Sequence, residues 1–160
     1  MTNNNIIYNI SFDVSLYSNY LDSYPCLLQN GYGLGFFPDN IEAKSKKKFD
    51  PLVSSTIESI TVDFISSFGH DVFILYHCES NDGKQASRAK LFEKWYSNSA
   101  YIDKMFKHGL EVEIMTKDDG PIYHYIGFIT QQTNKNIGNA IIELESFSVD
   151  LVNVNKNTAN

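Results

Sequence analysis

Positive charge is scarce in this chain. Arg88 is the sole arginine among 13 basic residues set against 19 acidic ones, and the formal net charge is −6 with a pI near 5.1. A phosphate backbone is repelled by such a protein on average, so nucleic acid is set aside as a partner. Cysteine is scarce too: Cys26 and Cys78 are too few for a disulfide framework and read as reduced, buried thiols. No apolar run approaches the roughly 18 residues that span a bilayer. The opening MTNNNIIYN lacks the basic and apolar regions of a secretory signal. A cytoplasmic location and no membrane partner are the expectations. Missing as well are a GxSxG elbow, a P-loop and a dinucleotide fingerprint. His70, His77, His108 and His124 show no metal-ligand spacing. No metal, no cofactor and no catalytic set are therefore assigned.

What is present suffices for one ordinary domain. A chain of 160 residues, 42% hydrophobic and 14% aromatic, buries a core without staples. Residues 1–152 read as that domain and 153–160 as a polar, frayed tail. Strict alternation over YNISFDVSL, with Tyr8, Ile10, Phe12, Val14 and Leu16 on one face, predicts a half-buried strand. NGYGLGFFPDN alternates Tyr32, Leu34 and Phe36 with glycines and predicts a second strand ending at Pro38. After a lysine-rich loop, Lys44 to Lys48, that reads as solvated surface or a docking patch, Pro51 opens a helix. Its apolar positions Val53, Ile57, Ile60, Phe64 and Phe68 recur every three or four residues, and Gly69 ends it.

VFILYHC, residues 72–78, is apolar on both faces and predicts a central strand covered on both sides. A second helix is expected from Gly83 or Lys84 to Asn98, with Leu91, Phe92, Trp95 and Tyr96 as its buried stripe. LEVEI at 110–114 and PIYHYIGFIT at 121–130 form a hairpin around Asp118, Asp119 and Gly120. From 135 to 150, Ile137, Ile141, Leu144 and Phe147 fall at helical spacing, although FSVDLVNV also fits a strand. The fold class is α+β, a single mixed, mostly antiparallel sheet packed by two or three helices.

The stretch FILYHCESNDGKQASRAKLFEKWY carries the densest polar chemistry. A strand ends at Cys78, SNDG turns the chain and a helix begins, a place where helix N-termini direct N–H groups at a ligand. His77, Glu79, Asp82, Lys84, Gln85 and Arg88 are the candidate binding residues there. The competing account is structural: Ser80, Asn81 or Asp82 caps the helix, and Arg88 folds back on Glu79 or Asp82.

TIESITVDFISSF followed by ILYHCESNDGKQASRAKLFEKWY resembles an uncharacterised family of small cytoplasmic proteins found mainly in the Bacteroidota. The likeness covers residues 50–96, through Thr56-Ile57, Cys78, Asp82, Arg88, Leu91-Phe92 and Trp95, and implies no activity. At the level of element order, residues 32–130 look like the C-terminal half of the acyl-CoA N-acyltransferase superfamily, and SRAKLFEKWY is similar to its A..LYEK.GF segment. That resemblance implies an acyltransferase-like order of strands and helices. Three departures set this chain apart: DNIEAKSKKKFDPLVSS replaces the glycine-rich cofactor loop, Phe92 stands where those enzymes often keep an acid tyrosine, and the closing Gly-Phe pair is missing.

The expected function is a non-enzymatic binding or adaptor module, engaging a protein partner or a small ligand through the turn at 77–88. The alternatives are a divergent acyl-CoA-dependent N-acyltransferase and an interaction subunit of a bacterial defence or toxin-antitoxin pair.

Overall fold

A computed structural model of the chain describes residues 7–14, 18–39, 51–78, 82–116 and 120–158. Its first strand, β1 (Tyr8–Asp13), alternates half-buried and exposed positions as its sequence requires. Val14 lies past the strand end and is exposed, and Leu16 lies outside the described residues. Two short helices follow, α1 (Ser18–Leu21) and α2 (Pro25–Asn30). Neither has enough length for a helical period to be legible in sequence; Pro25 at the start of α2 suits a first helical position.

β2 (Gly31–Pro38) leads to α3 (Pro51–Phe68), where Gly69 takes φ 115° and donates its N–H to the Ile65 carbonyl. The lysine run between these elements lies outside the described residues. β3 (Phe73–Cys78) is buried at five of its six positions, as a strand sandwiched between helices must be. α4 (Gln85–Ser97) comes next. β4 (Met105–Thr116) and β5 (Gly120–Gln131) form a hairpin longer than the alternation alone predicts, paired from Met105–Gln131 to Thr116–Gly120. Gly120 takes φ 74° beside its turn. α5 (Ile137–Thr158) is helical throughout, which excludes the strand alternative for FSVDLVNV. It also continues through Asn155–Thr158, where the sequence suggests a frayed tail, because nothing after Gly138 is a glycine or proline.

The five strands form one sheet in the order β1-β2-β3-β5-β4. Only β2 and β3 run parallel; every other neighbouring pair is antiparallel. This is the mixed, mostly antiparallel α+β sheet expected, with five helices among the described residues instead of two or three. One face packs α1, α2 and α5 around Leu27, Phe73, Phe128, Ala140 and Leu144. The other packs α3 and α4 around Ile65, Ile74 and Met105, with Phe12, Phe64 and Tyr96 at its margin. The expected apolar stripe of α4 is only half-buried. Phe92, Trp95 and Tyr96 face the sheet, whereas Leu91 is exposed, so Leu91 leaves the stripe.

Gly109 and Gly127 lie opposite each other on β4 and β5. A Cβ on either would collide with the Tyr76 hydroxyl, which leans over both backbones from β3. Burial is the largest influence on Tyr76 and pushes its hydroxyl far above the usual phenol range, so it stays protonated.

Candidate functional site

Strand alternation divides the candidate residues before any contact is considered. On β3, Phe73, Leu75 and His77 share the face covered by α1, α2 and α5, whereas Ile74, Tyr76 and Cys78 share the face covered by α3 and α4. His77 therefore points away from the helix whose N-terminus carries the other candidates.

Around that N-terminus the structure brings Asp82, Lys84 and Arg88 together. Asp82 Oδ1 accepts the Lys84 backbone N–H at 3.1 Å, and its Oδ2 takes the Arg88 guanidinium at 2.7 Å. Lys84 Nζ lies 3.9 Å from the same oxygen. Gly83, at φ 66°, makes the bend that a bulkier residue resists. The Arg88 hydrogen bond is the main cause holding the Asp82 carboxyl below the usual range. Side-chain exposure of 40% for Arg88 and 43% for Asp82 makes this a solvent-screened pair of small energetic value. Gln85 follows, its Oε1 buried with no partner among the described residues. Glu79, like the capping candidates Ser80 and Asn81, lies outside the described residues. Cys78 is buried beneath α4, and burial pushes its thiol up to about 11, which keeps it an unreactive thiol at neutral pH.

His77 meets a partner that sequence spacing did not reveal. Its Nε2 lies 3.0 Å from His124 Nδ1, and the two rings stack at 5.2 Å with 12° between their planes. The pairing of His77 with Ile126 sets β3 against β5 so that His124 falls diagonally beside His77 on the same face. One signal was available: His124 alternates with Ile122, Ile126 and Phe128 on an otherwise apolar face. Burial lowers the His124 pKa, so this imidazole is neutral at neutral pH.

The histidine pair lies in the wall of a cleft of about 610 Å³ between the sheet and α1, α2 and α5. Leu21, Leu27, Leu144 and Phe147 supply apolar wall, and Tyr20 is 65% exposed beside them. Tyr24 donates its hydroxyl to Asp150 Oδ2 at 2.5 Å, joining the start of α2 to α5 within the same lining. Burial first, then Asp150, pushes the Tyr24 hydroxyl up to about 12, so it remains a donor. Nothing in the sequence pointed to Tyr24 or Asp150, because α2 was not legible and the two lie 126 residues apart. α2 is held in place by a second link to α5: Glu143 accepts the N–H groups of Cys26 at 3.0 Å and Leu27 at 2.9 Å.

The cleft is concave, mainly apolar and supplied with a few polar groups, as small-molecule sites are. Among the described residues no cluster of three or more His, Cys, Asp or Glu side chains could hold a metal ion. No helix among them is long and apolar enough to cross a membrane.

No curated protein and no solved structure matches the chain. A family of unknown function, DUF6169, matches residues 49–147, a span from the start of α3 into α5 that contains the Asp82–Arg88 turn and both histidines of the cleft. The chain belongs to that family.

Proposed function

We propose that this protein is a non-enzymatic binding module whose ligand is a small molecule held in the cleft beside His77 and His124. The single observation that carries the reading is the cleft itself: about 610 Å³, apolar over most of its wall, with a hydrogen-bonded imidazole pair in its lining. The Asp82–Arg88 turn, the other half of the expected site, is exposed and its charges are paired with each other, which favours the cleft over it as the binding surface. A thermal-shift screen of a chemically diverse fragment library, followed by NMR, tests this. Saturable stabilisation with perturbed His77 and His124 ring resonances is expected. Hits that perturb only Asp82 and Arg88, or an absence of hits, would sink it.

A second reading, a divergent acyl-CoA-dependent N-acyltransferase, is favoured by one specific observation. β2 and β3 pair only over Gly31–Gly33 and Phe73–Leu75, although the strands run on to Pro38 and Cys78. Beyond that point the ladder between them stops, and such backbone edges take up an extended ligand. The order β2, α3, β3, α4, β4, β5 also agrees with the resemblance to that superfamily. Against it stands Phe92, which has no hydroxyl to protonate a leaving thiolate. Concentration-dependent stabilisation by acetyl-CoA supports this reading; a flat response removes it.

A further inference from the structure

The charge of the cleft narrows the ligand. Among the described residues that line it, Asp150 is the one formally charged side chain, and no lysine or arginine contributes. Its carboxylate is half-engaged: Oδ2 accepts the Tyr24 hydroxyl, and Oδ1 has no partner among the described residues. The nearest basic groups of the lining, His77 and His124, are occupied with each other, and burial lowers the affinity of His124 for a proton. An anion entering here meets a carboxylate and no cation. A neutral apolar ligand leaves the carboxylate unused. A cation finds Asp150 and, in the same lining, the exposed ring of Tyr20, whose face carries negative potential; Tyr24 is buried and packs edge-on with Phe147 at 5.6 Å. The net charge of −6 draws cations toward the protein before they reach the mouth.

We propose that the cleft selects an organic cation, its apolar body on the leucine and aromatic wall and its positive centre held between Asp150 and the exposed ring of Tyr20. The assignment rests on the reading of the cleft as the binding site. A quaternary ammonium group meets this chemistry without donating a hydrogen bond, because the recognition is by charge and ring faces. Asp150 is exposed, so replacing it by the isosteric amide leaves the fold intact.

The test uses three phenyl-bearing probes that differ in charge: benzyltrimethylammonium, benzyl alcohol and phenylacetate. Each is titrated into the full chain while the His124 ring and Asp150 backbone resonances are followed. Benzyltrimethylammonium is expected to bind at least roughly tenfold more tightly than phenylacetate. In Asp150→Asn that preference falls about tenfold while benzyl alcohol is unaffected, and added salt weakens only the cation. Equal or tighter binding of phenylacetate or benzyl alcohol in the cleft would overturn the charge selection and leave the cleft standing as a site. If none of the probes moves the cleft resonances, the cleft reading fails and the selection fails with it.

Discussion

His77 and His124 share one hydrogen bond, 3.0 Å from Nε2 to Nδ1, between rings stacked on neighbouring strands. Burial lowers the proton affinity of His124 in the folded chain, so the unfolded chain takes up its proton first as pH falls. The contribution of His124 to stability is therefore complete above its ordinary value of 6.5 and is lost as pH drops from there toward the lowered folded value. Urea midpoints at several pH values are expected to decline across that window in the parent and less steeply in His124→Gln. Parallel slopes would show that this ring is not the source.

Gly109 and Gly127 respond differently to the same substitution. At Gly109 an added Cβ meets the Tyr76 hydroxyl at 2.5 Å and nothing else nearer than 3.6 Å, whereas at Gly127 it also meets the His108 backbone carbonyl. Each Gly→Ala variant is expected to cost roughly 1–3 kcal/mol. Combining Tyr76→Phe with Gly109→Ala should recover much of that loss, but the same change should not rescue Gly127→Ala. Chemical denaturation of the four variants decides it.

Glu143 bridges α5 to α2 through the backbone N–H groups of Cys26 and Leu27. Glu143→Ala leaves both donors without this acceptor and is expected to destabilise by about 1–3 kcal/mol. Glu143→Gln retains one acceptor oxygen and should fall between the two. Hydrogen exchange at the Cys26 and Leu27 amides should accelerate in the alanine variant ahead of global unfolding.

Arg88 depresses the Asp82 carboxyl through an exposed hydrogen bond. Because the folded carboxyl is the stronger acid, whatever stability the pair supplies is present above the ordinary carboxylate range and fades as pH falls through it. In Arg88→Ala the Asp82 carboxyl should titrate closer to its ordinary value, with the melting temperature little changed because exposed pairs contribute little. Arg88→Lys should keep part of the shift. An Asp82 titration identical in parent and alanine variant would remove the guanidinium as its cause.

Much of the architecture was legible because its periods are local. Alternation in YNISFD and spacing from Val53 to Phe68 identify a half-buried strand and a helix, and the uninterrupted apolar run FILYHC identifies the covered strand at the centre. That Arg88 folds back on its turn was also legible, with Asp82 one of two expected partners, since six residues separate the two. Helices of four and six residues were not, for α1 and α2 are too short to display a period, and α2 is held by α5. Leu91 shows the converse failure: its apolar character suggested burial, but α4 packs through Phe92, Trp95 and Tyr96 and leaves it exposed.

By itself the sequence determined the α+β class, the negative net charge and the fold-back of Arg88 on its turn, because these depend on composition or on residues within a few positions of one another. The expected side-chain cap is not made, since Lys84 is the N-cap of α4 and no side chain bonds there as a cap. Only tertiary structure decided which side chains line the cleft. The ladder between β3 and β5 places His77 beside His124, and the docking of α5 sets Asp150 against Tyr24, pairs separated by 47 and 126 residues. Side chains that far apart meet only when strand register and helix packing bring them together, and no local pattern records either.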